Sequence, residues 1–133
     1  MSVLLWLARS PVGRLLVSWL FAHMSFALPV DRLRETDTLI AFHHPRPSYP
    51  VHILLVPKRK IASLRDLTEA DTDFTADLFQ VVSSLVAEFG LEERGYRLVV
   101  NGGSYQEVPH LHFHLVSGPA LEEVTEGDDN AAH

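Results

Sequence analysis

One stretch of this chain limits its possible folds more than any other. From position 110 it runs His110-Leu111-His112-Phe113-His114-Leu115-Val116, three imidazoles alternating with apolar side chains. Successive side chains of a β-strand point to opposite faces, whereas helical spacing would scatter the rings around a cylinder. The alternation predicts a strand over residues 106–116, its apolar face in a core and its three histidines lining one cleft. Imidazole, with an ordinary pKa of about 6.5, can serve near neutral pH as base, acid, nucleophile or metal ligand.

Three readings of such a row stay open. Three imidazoles can hold zinc and leave a position for water. Same-face residues at i and i+4 splay over about 14 Å, however, so a third ligand would come from another strand, from His52 or His44. Alternatively His112 is a nucleophile supported by His110 and His114. A neutral ring nitrogen attacks phosphorus once the other nitrogen donates to a fixed acceptor, and a cationic neighbour can protonate the leaving group. Gln106 is then placed to contact a phosphoryl oxygen, and Gly102-Gly103 permit close backbone approach. The third reading is a wet sheet face with no chemistry.

The 133 residues suffice for one domain with a real core. The chain has no cysteine, which excludes disulfides and thiolate chemistry and fits a reducing, cytoplasmic setting. Its net charge of −6 owes much to residues 121–133, which carry Glu122, Glu123, Glu126, Asp128 and Asp129 and no Lys or Arg. Without those five, 12 acids of the 17 face 11 basic residues, so no large basic patch invites a nucleic-acid partner. The short run Lys58-Arg59-Lys60 reads as a solvated strand end.

Residues 1–30 read as an extension. Ser10-Pro11 suits a helix start, and Val12, Leu15, Leu16, Trp19, Leu20 and Met24 form an amphipathic stripe. Packing within the protein or a dimer, contact with a membrane surface, and an export signal are the competing readings. Beyond residue 31, Thr38–Phe42 reads as a first strand and Val51–Val56 as a second. Between them lies a loop stiffened by Pro45, Pro47 and Pro50. Thr68-Glu69-Ala70-Asp71 resembles a capping box ahead of a helical stripe from Phe74 to Phe89, with Gly90 as its C′ residue. Residues 96–101 read as a third strand. Two strands on each side of one long helix predict an α+β domain over residues 31–120, its antiparallel sheet covered on one face, followed by an acidic flexible tail over 121–133.

The motif and its flanks resemble the histidine triad (HIT) family of nucleotide hydrolases and transferases, most of all its Hint-like branch. Gln106-Glu107-Val108, Gly95–Asn101, Ala41-Phe42 and His52–Lys58 carry the resemblance outward, over roughly residues 32–118. It implies a homodimer sharing a sheet, a nucleotide beside the triad, and neither metal nor cofactor. By position, His112 would be the nucleophile on the α-phosphorus and form a nucleotidyl-histidine intermediate. His110 and His114 would orient it and handle protons, and Gln106 would contact the phosphate region. His52 and Asn101 would line the pocket, with Leu39, Ile40 and Phe42 near the base. The chain departs from the pattern at His44, where Hint-like members carry a ribose-binding acid, and at Glu107, where a serine is usual. Its turn between Asn101 and Gln106 is about two residues shorter, and residues 1–30 have no counterpart.

Overall fold

The computed structural model of the chain describes residues 32–121, so the helical extension expected over residues 1–30 and all of the tail but Leu121 lie outside the described part. Its strands are β1 (Arg32–Glu35), β2 (Leu39–His43), β3 (Val51–Pro57), β4 (Arg97–Val100) and β5 (Phe113–Ser117). They form one sheet in the order β1-β2-β3-β5-β4, every neighbouring pair antiparallel. One long helix, α1 (Thr72–Glu88), and one short helix, α2 (Leu91–Arg94), sit between β3 and β4 in the chain. The expected α+β architecture is the one observed. No helix among the described residues is long and apolar enough to cross a membrane.

Period-two alternation divides the sheet into two faces. Leu39, Ala41, Ile53, Leu55, Phe113 and Leu115 share one core with Phe74, Leu78, Val81, Val82, Leu85 and Val86 of α1. The 3.6-residue period of α1 collects those six on one side, and each large aliphatic group withdrawn from water contributes about 1.5–3 kcal/mol. The residues between them in sequence, Ile40, Phe42, Leu54 and Val56, form a second buried cluster on the opposite face. His52 and His114 lie on that second face, because Leu54 faces His114 and His52 faces Val116 across the β3–β5 ladder.

Local chemistry sets the ends of α1. Thr68 Oγ1 accepts the Ala70 N–H at 3.2 Å while Asp71 accepts the Thr68 N–H at 3.0 Å, so the capping box forms, with Asp in place of Glu, on the 3-10 turn Glu69–Asp71 that leads directly into α1. Asp71 also takes two hydrogen bonds of 2.7 and 2.8 Å from Arg59 Nη2. That guanidinium is the main reason its carboxyl is held below the usual range. Lys58 pairs with Glu35 at 2.7 Å. Two members of the basic run are therefore tied into ion pairs, not simply solvated. Gly90 closes α1 with φ of 62°, the left-handed conformation expected of a C′ glycine.

Two expectations need correction. The polar stretch from Arg32 is itself an edge strand. Its charges are held by Arg32–Glu35 at 3.2 Å and by Arg34 hydrogen bonds to Ser84 and Glu88, each at 3.1 Å. Charged residues suit an edge that must not pair with strangers, and they erase the apolar alternation that betrays inner strands. The strand expected over residues 106–116 starts only at Phe113. Gly103 turns with φ of 59°, Pro109 lacks a ladder donor, and the His110 and Leu111 N–H groups go to Val108 and Ile61 carbonyls instead. His110 and His112 therefore stand on the approach to the strand, and only His114 is inside it.

Candidate active site

The shortened strand separates the three histidines into different environments. His110 is fully buried, and its Nε2–H donates to the carbonyl of Pro57, at the end of β3, at 3.2 Å. It therefore does not line the cleft with its neighbours, contrary to the alternation. His112 is half-buried, and its Nδ1 lies 2.7 Å from the carbonyl oxygen of His110. A carbonyl only accepts, so the His112 proton resides on Nδ1 and its Nε2 is the unprotonated nitrogen of the ring. The backbone carbonyl of His110 orients His112. The His112 and His114 rings meet edge to face, centroids 5.1 Å apart.

His114 is fixed by a chain of hydrogen bonds that starts in the proline-rich loop. Pro45, Pro47 and Pro50 have no N–H, and two of the amides between them, those of Arg46 and Ser48, are used on rings. The Ser48 N–H donates to His52 Nδ1 at 3.0 Å, which leaves the His52 proton on Nε2. His52 Nε2 then donates to His114 Nδ1 at 2.8 Å, which leaves the His114 proton on Nε2. The two rings are diagonal neighbours on one sheet face, within side-chain reach across an antiparallel pair. In the same loop the Arg46 N–H donates to His44 Nδ1 at 2.9 Å, and the His44 N–H donates to the His52 carbonyl at 2.8 Å. His44 lies 4.3 Å from His52 and stacks on His114 at 6.1 Å. His52 is thus neither an isolated core histidine nor a bystander.

Burial holds these rings neutral. It is the largest cause of the lowered pKa of His52, His110 and His112; a backbone carbonyl partner opposes it at His110 and His112. His44 is lowered to about 4, by burial and then by the charges of His52 and His112. His114 is lowered to about 3, by burial and then by His112, His52 and His44. The cationic flank that the sequence allowed is therefore not the resting state. Because the unfolded chain titrates these rings near 6.5, it binds more protons than the fold between pH 6.5 and about 4 for His44, and down to about 3 for His114. Stability falls with pH through that window. Urea midpoints measured at pH 6.5, 5.5 and 4.5 are expected to drop in that order, and a constant midpoint would contradict the buried neutral rings.

The other expected site residues divide. Ile40 and Phe42 lie on the histidine face, whereas Leu39 is fully buried in the helix-side core and is no part of the pocket. The parity of β2 required this, since 39 differs by one from 40. Val99 faces His114 and Val100 faces Phe113 in the last pair of the β4–β5 ladder, so Asn101 follows directly after the strand end beside which the triad enters the sheet. Gln106 donates through Nε2 to the carbonyls of Ala62 at 2.6 Å and Val108 at 3.0 Å. Both amide hydrogens are used, so in this conformation Gln106 clamps the loop before His110 and offers a phosphoryl oxygen no donor. The Arg46 and Ser48 amides and the His110 and Pro57 carbonyls are the working groups that sequence reading missed. Only the proline spacing at 45 and 47 hinted at the first two.

One ring nitrogen each from His44, His52 and His114 lies within 4.8 Å of the others, a spacing a metal ion could use. The hydrogen bonds run against it. Metal-bound histidine usually donates its second nitrogen to an acceptor. Here Nδ1 of His44 and of His52 each accept a backbone N–H, so a cation would have to displace a proton from Nε2 or turn both rings over.

Comparison with known proteins places the fold in a family. The HIT domain family model matches residues 26–121. The chain belongs to the HIT family. An uncharacterized HIT-like protein of Synechococcus elongatus is 41% identical over 96 residues, 71% of this chain and 83% of its own length. A HIT family hydrolase of Legionella pneumophila superposes with a TM-score of 0.67 at 34% identity, covering 81% of this chain and 94% of that one. A histidine triad nucleotide-binding protein of Candida albicans gives a TM-score of 0.65 at 26% identity, covering 84% and 85%. Within this HIT domain the triad thus serves three ends: His110 buried against β3, His112 protonated on Nδ1 by its bond to the His110 carbonyl, and His114 wired to His52.

Proposed function

We propose that this HIT protein is a hydrolase or transferase that cleaves a nucleoside 5′-phosphoramidate, or a related phosphoanhydride, at the α-phosphorus. The observation that carries this reading is the 2.7 Å hydrogen bond from His112 Nδ1 to the His110 carbonyl, which leaves Nε2 as a neutral nucleophile. In the first step the Nε2 lone pair forms a bond to phosphorus, and the phosphorus–nitrogen bond to the leaving amine breaks. The amine departs with a proton. His114 Nε2–H is the nearest oriented donor for the phosphoryl oxygen or leaving group, and the negative charge of the bound phosphate favours protonation of that ring. In the second step water attacks phosphorus and the bond to His112 breaks, releasing the nucleoside monophosphate and restoring the ring.

Asn101 would face the phosphate beside His112, while Phe42 and Ile40 supply apolar surface for the base. His44 and His52 complete the wall around His114. Among the described residues β4 ends the sheet, and a second copy of the chain along that edge is the partner we favour. The lack of cysteine agrees with a cytoplasmic setting. Occupation of both Gln106 amide hydrogens favours a second reading, nucleotide binding with little turnover. Incubation with adenosine 5′-phosphoramidate separates the two. Release of AMP is expected; AMP binding by calorimetry without any release would select the second.

A further inference from the structure

His44 takes no part in the displacement at His112, yet it is built into the site with care. Its Nδ1 accepts the Arg46 N–H, and its ring is stacked on His114, centroids 6.1 Å apart and planes 21° apart. Its remaining polar atom is therefore Nε2–H. The same holds for His114, whose Nδ1 is filled by His52. Two stacked rings thus present two N–H groups and no acceptor.

A donor-only wall suits a ligand group that only accepts. A sugar hydroxyl placed there can accept, but its own hydrogen finds nothing to bond, whereas a phosphate accepts through several oxygens and donates nothing. Position narrows the group further. His114 neighbours both rings, its centroid 5.1 Å from His112 and 6.1 Å from His44, so a ligand with its reacting phosphorus at His112 that follows the ring contacts crosses two of them before it meets His44. That is the span of a sugar, not of a single P–O–P linkage. Resting on the nucleotide reading above, in which the His114 N–H serves the phosphate at His112, we infer that His44 seats a second phosphate, carried on the sugar of a nucleotide whose 5′-phosphorus lies at His112. The substrate class is then a sugar-phosphorylated nucleoside 5′-phosphoramidate or anhydride. Burial keeps His44 uncharged without ligand, its pKa lowered to about 4, and an adjacent phosphate would draw that value upward.

Calorimetric titration of the full chain with AMP and with adenosine 3′,5′-bisphosphate tests this. The bisphosphate is expected to bind about tenfold tighter, the worth of one hydrogen bond to a charged acceptor. The ratio should fall to about one in His44→Ala and below one in His44→Asp, where a carboxylate repels the second phosphate. In the wild-type protein, NMR titration of the His44 ring should show its pKa rising with the bisphosphate and not with AMP, a change that a merely structural ring would not make. AMP binding with no gain from the second phosphate overturns this inference alone. Failure of both ligands overturns the nucleotide reading and this inference with it. Stoichiometric zinc binding from zinc chloride that blocks the bisphosphate overturns the assignment of the Nε2 protons.

Discussion

His112→Ala is expected to lower AMP release from adenosine 5′-phosphoramidate by at least about 10⁴-fold, the scale of losing a nucleophile. The ring is half-buried, and its bond to the His110 carbonyl is local to the loop. The fold should therefore survive, with circular dichroism and urea midpoint near those of the wild-type protein. Replacing the nucleophile differs in kind from weakening its surroundings. Loss of a positioning hydrogen bond such as that from His52 to His114 removes a donor worth roughly 1–3 kcal/mol, or about 5–150-fold. Turnover within tenfold of wild type in His112→Ala would leave no covalent step at this residue.

Leu85→Ala is expected to destabilise the domain by about 2–5 kcal/mol, measured by urea unfolding, while the folded protein keeps its AMP release. Leu85 is fully buried in the core shared by α1 and the helix-facing side of the sheet. Truncation there leaves a cavity that the antiparallel strands beneath cannot close without shifting register. The histidines occupy the other sheet face, so chemistry and stability should separate. A loss below about 1 kcal/mol would mean the α1 stripe is not the packed interface described here.

The fold was legible where one physical signal dominated. The α1 stripe, the Thr68–Asp71 box, the glycine at 90 and the aliphatic run of β3 each followed from spacing, and each has its counterpart in the structure. β1 was hidden because an edge strand carrying Arg32, Arg34 and Glu35 reads as loop when only apolar alternation is counted. The triad misled in the opposite way. Its alternation is real, but Pro109 and the turn at Gly103 keep residues 106–112 out of the ladder, so His110 turns into the interior under Pro57. The links between His52, His114 and His44 depend on backbone amides at 46 and 48 and on cross-strand register. Neither can be seen in a list of side chains. Leu39 shows the converse: strand parity alone, applied strictly, places it away from Ile40 and Phe42.

The most direct test of the central claim is the mass of the protein caught during turnover. Wild-type protein mixed with adenosine 5′-phosphoramidate and quenched within milliseconds in denaturant at neutral to mildly alkaline pH should carry one added adenylyl group. Peptide mapping should locate that group on His112, and the same treatment of His112→Ala should yield none. AMP released at the wild-type rate with no adduct at any quench time, or an adduct mapped to His114, would contradict it.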